Sequence, residues 1–257
     1  MGIIMLNNKV LMNQNKIAMY VPPFEPPAKG SIVKINLDGT DRVYRVLSVD
    51  GNVCKVMGMF DDFKSEYNET STTTTMGTLT VQKYEGSTLD TRLDTAWYNI
   101  LNSTVKAAIV PESVICDAWS IDDTGDPVYS GTYGTSVPGG SSYTISKYTG
   151  GTLNIGNRNV FILGIQDVID YLSDESMRVD TSAILCNVNI WKMFWNDEVS
   201  HEGRILWLQS SFTGDSKYAR AVAGEYGIIT GFTATNSAIV RPVLNLDMSK
   251  IPYELIS

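Results

Sequence analysis

The chain has 257 residues, 43% of them apolar, with a mean hydropathy of −0.05, which suits one large domain or one domain with appendages, and a core that needs no disulfide staples. No apolar run approaches the ~18–20 residues of a membrane-spanning helix, so membrane insertion is not expected. Twenty Lys and Arg against 28 Asp and Glu leave a net charge of −8, which repels a phosphate backbone and argues against a nucleic-acid partner.

Charged residues make up only 19%, below the usual ~25%, and Ser, Thr and Asn are abundant. Such a hydroxyl- and amide-rich surface suits an extracellular or virion protein. Cys54, Cys116 and Cys186 are widely separated and odd in number, so they read as small buried apolar residues rather than a disulfide framework or a metal knuckle. A single histidine, His201, starves zinc sites and most histidine-based catalysis of ligands and bases. The expectation is no metal, no cofactor, no catalytic residue and no enzyme.

In chain order, Asn8-Lys9-Val10-Leu11-Met12 recurs as Asn15-Lys16-Ile17-Ala18-Met19, and each copy alternates polar with apolar residues. Two short strands turning at Asn13-Gln14 are expected. They form either an edge hairpin of the main domain or an attachment arm over residues 1–20 that docks on another subunit. Met1 to Tyr20 lacks the basic start and apolar stretch of a secretory leader, so Sec-type export is not expected. Residues 21–29 carry Val21-Pro22-Pro23-Phe24-Glu25-Pro26-Pro27, an extended, semi-rigid spacer.

From Gly30 to Met59 the pattern alternates, with Asp38-Gly39 and Asp50-Gly51 as turn dipeptides, and predicts a three-stranded antiparallel meander. Asp61 to Thr80, with its threonine run, reads as a surface loop. Leu89 to Ala108 reads as a helix, capped by Asp90 or Thr91 and with Leu93, Trp97, Ile100, Leu101 and Val105 on one face. A strand follows over Val114 to Trp119. Ile121 to Gly151, rich in Gly, Ser, Thr and Tyr, reads as an elaborated loop with one hairpin. Asn159 to Leu163 predicts a strand, and Ile165 to Leu172 a short helix. Thr181 to Trp195 is apolar and aromatic, and Arg204 to Leu246 alternates short strands with polar turns.

Two late segments carry a resemblance. Ile205-Leu206-Trp207-Leu208-Gln209-Ser210 and Ala238-Ile239-Val240-Arg241-Pro242-Val243-Leu244 resemble the closing strands of a bacterial and phage domain family of unassigned function, whose members carry Trp-Leu-Arg-Ser and Val-Arg-Pro-Ala-Leu there. Val46-Leu47-Ser48-Val49-Asp50-Gly51 is similar to the family's opening pattern. Phe161-Ile162-Leu163-Gly164-Ile165-Gln166-Asp167-Val168 is similar to its strand-to-helix step. The resemblance runs from Gly30 to Leu246, with Gln209 standing where the family has Arg. It implies an α+β fold over residues 30–257, a C-type-lectin-like twisted antiparallel sheet with two helices and long loops, related to formylglycine-generating enzymes.

Pro242 forces an extended backbone at Arg241, which is expected, with Trp207, to hold the closing strands together. Trp195-Asn196-Asp197 matches a calcium-lectin tripeptide, but no Glu-Pro-Asn accompanies it, and a turn with aromatic packing is the expectation. An oxidase of the formylglycine-generating type needs paired cysteines or a copper site, and Cys186 has no neighbour.

The expected function is therefore a phage virion structural protein, a head or tail fibre or decoration, made in the host cytoplasm without a leader and located in the virion. Residues 1–27 would contact other virion proteins, the assembly would be a homo-oligomer, and the partner would be a host cell-surface glycan or protein. Tyr129, Tyr133, Tyr143, Tyr148, Lys217, Tyr218 and Tyr226 are the candidate ligand contacts, because tyrosine stacks on a sugar ring and hydrogen-bonds at low entropy cost. A bacterial cell-surface or exported module is the alternative, and an enzyme related to formylglycine-generating proteins a third.

Overall fold

The computed structural model describes residues 11–13, 16–18, 24–121, 129–136, 142–213 and 215–256. The chain folds as an α+β protein, mostly strands in antiparallel and mixed sheets with a few short helices.

At the amino end, β1 (Leu11–Asn13) and β2 (Lys16–Ala18) pair antiparallel as a two-stranded sheet of their own. Phe24 begins the body. Its ring meets Tyr253 edge-on at 6.4 Å, Pro27 is buried, and Lys29 pairs with Asp174 at 3.2 Å. Residues 24–29 are therefore packed on the domain rather than spanning away from it.

The meander follows as β3 (Ile32–Asn36), β4 (Asp41–Asp50) and β5 (Val53–Gly58), with the registers of two hairpins. Gly39 and Gly51 take φ of 91° and 55°, the left-handed conformations that the tight turns require. Val33, Ile35, Leu37, Tyr44, Val46, Cys54 and Val56 face inward. A bulge after Val46 buries Leu47 as well. Both outer positions of this sheet come from the far end of the chain: β16 (Val243–Asp247) pairs with β5, and β17 (Glu254–Leu255) with β3.

Residues 61–80, expected as a loop, instead contain β6 (Lys64–Glu66), β7 (Thr73–Met76) and part of β8 (Leu79–Gln82). Threonine is polar but β-branched, and branching suits a pleated, half-exposed pair of strands. The expected helix over 89–108 is broken. α1 (Thr88–Thr91) runs through a π-helical turn, Arg92–Trp97, into α2 (Tyr98–Ile100), and α3 (Ser103–Ala108) starts afresh. Asn102 is the reason: its Oδ1 accepts from Val105 N at 2.9 Å, a side-chain cap that competes with helix continuation.

The second sheet has eight strands. Its main path runs β10 (Tyr129–Ser136), β11 (Ser142–Arg158), β9 (Glu112–Ile121), β12 (Ile205–Phe212), β13 (Tyr218–Ala223), β14 (Ile228–Thr233), while β15 (Ser237–Ile239) joins β12 to β6. β12 is parallel to both β9 and β15, so the sheet is mixed rather than purely antiparallel. The expected strand at 159–163 reduces to one bridge, Phe161 to Val243, which with Ile109 to Leu246 ties the two sheets together. α4 (Ile165–Leu172) and α5 (Asn187–Trp195) pack on this framework. Trp119, Trp207, Tyr67, Tyr84, Phe161 and Phe194 fill its interior. Among the described residues no helix is long and apolar enough to cross a membrane.

Candidate functional site

The tyrosines singled out from sequence do not form one patch. Tyr133 and Tyr143 share one face of the β10–β11 hairpin and are half-buried at the edge of the core. Tyr133 packs on Trp119 with centroids 6.1 Å apart. The Tyr143 hydroxyl accepts from Ile229 N at 2.9 Å, so it joins β11 to β14, at the far end of the sheet order. Tyr129 opposes Tyr148 in register. Tyr148 is only 5% exposed, with its hydroxyl 2.8 Å from Thr78 Oγ1, and it anchors the β7–β8 turn. Tyr218 rests on Phe212 at 5.7 Å beside an exposed Lys217. Tyr226, 46% exposed, occupies the turn at the other end of the β13–β14 hairpin. A hydrogen bond to Glu225 raises its pKa above the ordinary value.

Trp207 is wholly buried between Tyr67 and Phe232, and its Nε1 donates to Ser65 O at 2.8 Å. Arg241, 2% exposed, donates to Phe194 O and pairs with Asp61 at 2.6 Å. Burial lowers its pKa, against the pull of Asp61. Arg45 is buried on the same helix end, donating to Lys192 O at 3.1 Å and Asn196 Oδ1 at 2.6 Å. Two guanidinium groups thus satisfy the last carbonyls of α5 and its C-cap, where the helix dipole favours positive charge. Asn196 takes the left-handed conformation, φ 63°. Asp197 meets His201 Nε2 at 2.7 Å, and the imidazole stacks on Trp195 at 4.6 Å. The Trp195-Asn196-Asp197 tripeptide is thereby committed to a helix end.

A different site lies where the large sheet parts. β9 and β12 pair only at Ser211 with Ala118 and Phe212 with Trp119. Toward their amino ends they diverge, and side chains replace the missing ladder. Gln209 Nε2 donates to Ile115 O at 3.4 Å. Ser210 Oγ donates to Asp117 Oδ1 at 2.6 Å while accepting from Ile165 N at 2.8 Å. A cleft of about 230 Å³ remains, lined by Glu112, Ile115, Asp117, Lys147, Asp167 and Gln209 among others.

Charges from four separate segments converge on it. Lys147 reaches Asp117 at 3.2 Å and Gln166 Oε1 at 3.2 Å. Lys55 reaches Glu112 at 2.8 Å and Asp167 at 3.5 Å. Asn245 donates to Glu112 Oε2 at 2.8 Å, and Gly164 N to Asp167 Oδ2 at 2.8 Å. Burial pushes the Asp167 pKa up, with Lys55 pulling it back. Burial works against the Lys55 charge, but Asp167 and Glu112 outweigh it and leave its pKa raised. Gln209, 4% exposed, has a side-chain carbonyl with no hydrogen-bond donor among the described residues. The neutral amide leaves the Asp117 charge to Lys147, a residue on β11.

Sequence reasoning did not select this cleft. Its signals were present as the Gln209 departure and as Asp167 in the strand-to-helix step, but nothing local linked them to Lys55 or Lys147.

A family described as "Domain of unknown function (DUF6273)" matches residues 64–248, which is most of the chain and includes both closing strands. The chain belongs to this family. The DUF6273 match begins at β6, so the β3–β5 meander and its Val46 to Gly51 pattern lie outside it, contrary to the resemblance read from Gly30 onward. The charged cleft lies mainly within the match, with Lys55 contributed from the meander. No curated protein and no solved structure matches the chain.

Proposed function

We propose that the protein is a structural component of a phage particle, a head or tail fibre or decoration, whose C-type-lectin-like domain recognises a glycan or protein on the host surface. The observation that carries the reading is the β10–β11 hairpin. Between β9 and the Phe161 bridge, β10 and β11 pair on the margin of the large sheet, with Tyr133 and Tyr143 half-exposed on one face. A rigid frame that presents aromatic side chains at its margin suits adaptable recognition.

Two further features support it. β1 and β2 form a two-stranded sheet apart from the others, and such a hairpin is marginal in water without a partner, as an arm docked on another virion protein or a second copy requires. The cysteines and Ser200 are not poised as nucleophiles: burial raises the pKa of Cys54 to about 11 and raises those of Cys116 and Cys186, and Ser200 Oγ donates to Glu225 O at 2.7 Å.

Immunogold labelling of native particles tests the location. Adherence of purified protein to host cells, with and without EDTA, tests recognition. Adherence is expected to survive EDTA and to fall about tenfold or more, 1.4 kcal/mol, in Tyr133→Ala and Tyr218→Ala. Unchanged adherence in both variants moves recognition off these residues, and loss in EDTA assigns it to a bound cation.

A further inference from the structure

We propose that the cleft between β9, β12 and the start of α4 binds the free ammonium group of a small hydroxylated ligand, an amino sugar. This is a second site, apart from the hairpin tyrosines, and it rests on the host-surface reading only for the source of the sugar.

Glu112, Asp117 and Asp167 contribute three carboxylates to the cleft lining and Lys147 one ammonium group, while Lys55, outside the lining, supplies a second ammonium group that pairs with Glu112 and Asp167. Both lysines are already held between acceptors, Lys55 by Glu112 and Asp167 and Lys147 by Asp117 and Gln166. One negative charge is left over.

The hydrogen-bond inventory has the same sign. An ionised carboxylate accepts at about four lone-pair positions and donates at none, whereas each carboxylate oxygen here has one polar partner. Gln209 adds a buried carbonyl with no donor. A buried acceptor left unpaired costs about 1–3 kcal/mol, so a ligand that brings N–H and O–H groups recovers what an anion would worsen.

Size and shape narrow the class. Drug-sized ligands occupy roughly 300–1,000 Å³, so a cleft of about 230 Å³ admits a single sugar ring or one side chain. Ile115, 54% exposed on the lining, offers an apolar edge to the C–H face of a ring. Ser113 and Gln166, also on the lining, can meet its hydroxyls.

The test titrates the full chain by calorimetry with glucosamine, glucose, N-acetylglucosamine and Nα-acetyl-lysine methylamide. Glucosamine is expected to bind saturably in the millimolar range, with glucose and N-acetylglucosamine at least tenfold weaker because they lack the ammonium group. Gln209→Met, which keeps volume and removes the acceptor, and Glu112→Gln, which removes a charge at the rim, are each expected to weaken glucosamine at least threefold. Thermal melts confirm that the variants fold, and the rim variant serves if Gln209→Met does not. Equal binding of glucose, no saturation, or tighter binding of the lysine derivative overturns the proposal. Particle labelling and cell adherence read the broader function separately, so failure there leaves the titration to stand or fall by itself.

Discussion

The five-stranded sheet and the eight-stranded sheet differ in how far their strands travel to meet. In the first, β3, β4 and β5 are joined by tight turns, and their inward residues interlock in unbroken registers apart from one bulge. In the second, the paired positions of β9 and β12 lie 93 residues apart in the chain, and the strands pair over only two positions before parting. A local meander leaves no space between its strands. A parallel pairing of distant strands left a wedge, and buried edge groups must find partners, so Gln209, Ser210, Asp117 and Lys147 collected there.

The large sheet depends most on Trp207, which joins β12 to Tyr67, Phe232 and Ser65 O. Trp207→Ala is expected to destabilise the protein by about 3–5 kcal/mol in urea denaturation. A loss below about 1 kcal/mol would show that the large sheet does not depend on its closing strand.

Next in size is Arg241, at the crossing from β15 to β16 and so from one sheet to the other. Arg241→Ala leaves Phe194 O and Asp61 Oδ1 without their donor, while Arg204 still pairs with Asp61 Oδ2, an expected cost of about 1–3 kcal/mol. Retention of parental stability would mean that the two sheets are held by the strand bridges alone.

Truncation sharpens the boundary of the small sheet. A chain beginning at Phe24 should melt with the parent, whereas one beginning at Gly30 loses the buried Pro27, the Tyr253 ring contact and the Lys29 pair, an expected ~1–3 kcal/mol. If both melt alike, residues 24–29 contribute nothing to the body.

The smallest effects are pH slopes of opposite sign in the two sheets. Burial raises the pKa of Asp167, beside the large sheet, so the folded state binds more protons than the unfolded one just above the ordinary carboxylate range. Its contribution is complete below the unfolded pKa and is lost as pH rises through the raised value. Hydrogen bonds from Ser249 and Lys250 lower the pKa of Asp247, on β16, so its contribution is present above the ordinary pKa and is lost as pH falls. Stability measured from acid to neutral pH should lose the first slope in Asp167→Asn and the second in Asp247→Asn. Identical slopes in parent and variants would contradict both assignments.

Much of the small sheet was legible because its information is local: Asp38-Gly39 and Asp50-Gly51 need left-handed glycines, and alternation sets the buried face. α4 was legible for the same reason, from Ile165, Val168, Ile169 and Leu172 on one helical face. The strands within 61–80 were not, since polarity masked the β-branching of the threonines. The break at Asn102 was hidden because a side-chain cap is indistinguishable from an ordinary polar helical residue until the chain turns away. Neither the strands that flank the meander nor the parting of β9 from β12 has a local signal.

Turns, apolar periodicities and buried aromatics are each set within a few residues by steric and solvation preferences. The tertiary structure alone decided the cleft. Lys55, Glu112, Asp117, Lys147, Asp167 and Gln209 come from five elements, Glu112 and Asp117 sharing β9, and charge attraction and hydrogen bonding depend on distance through space rather than along the chain. Those distances exist only after β9, β12 and α4 have packed.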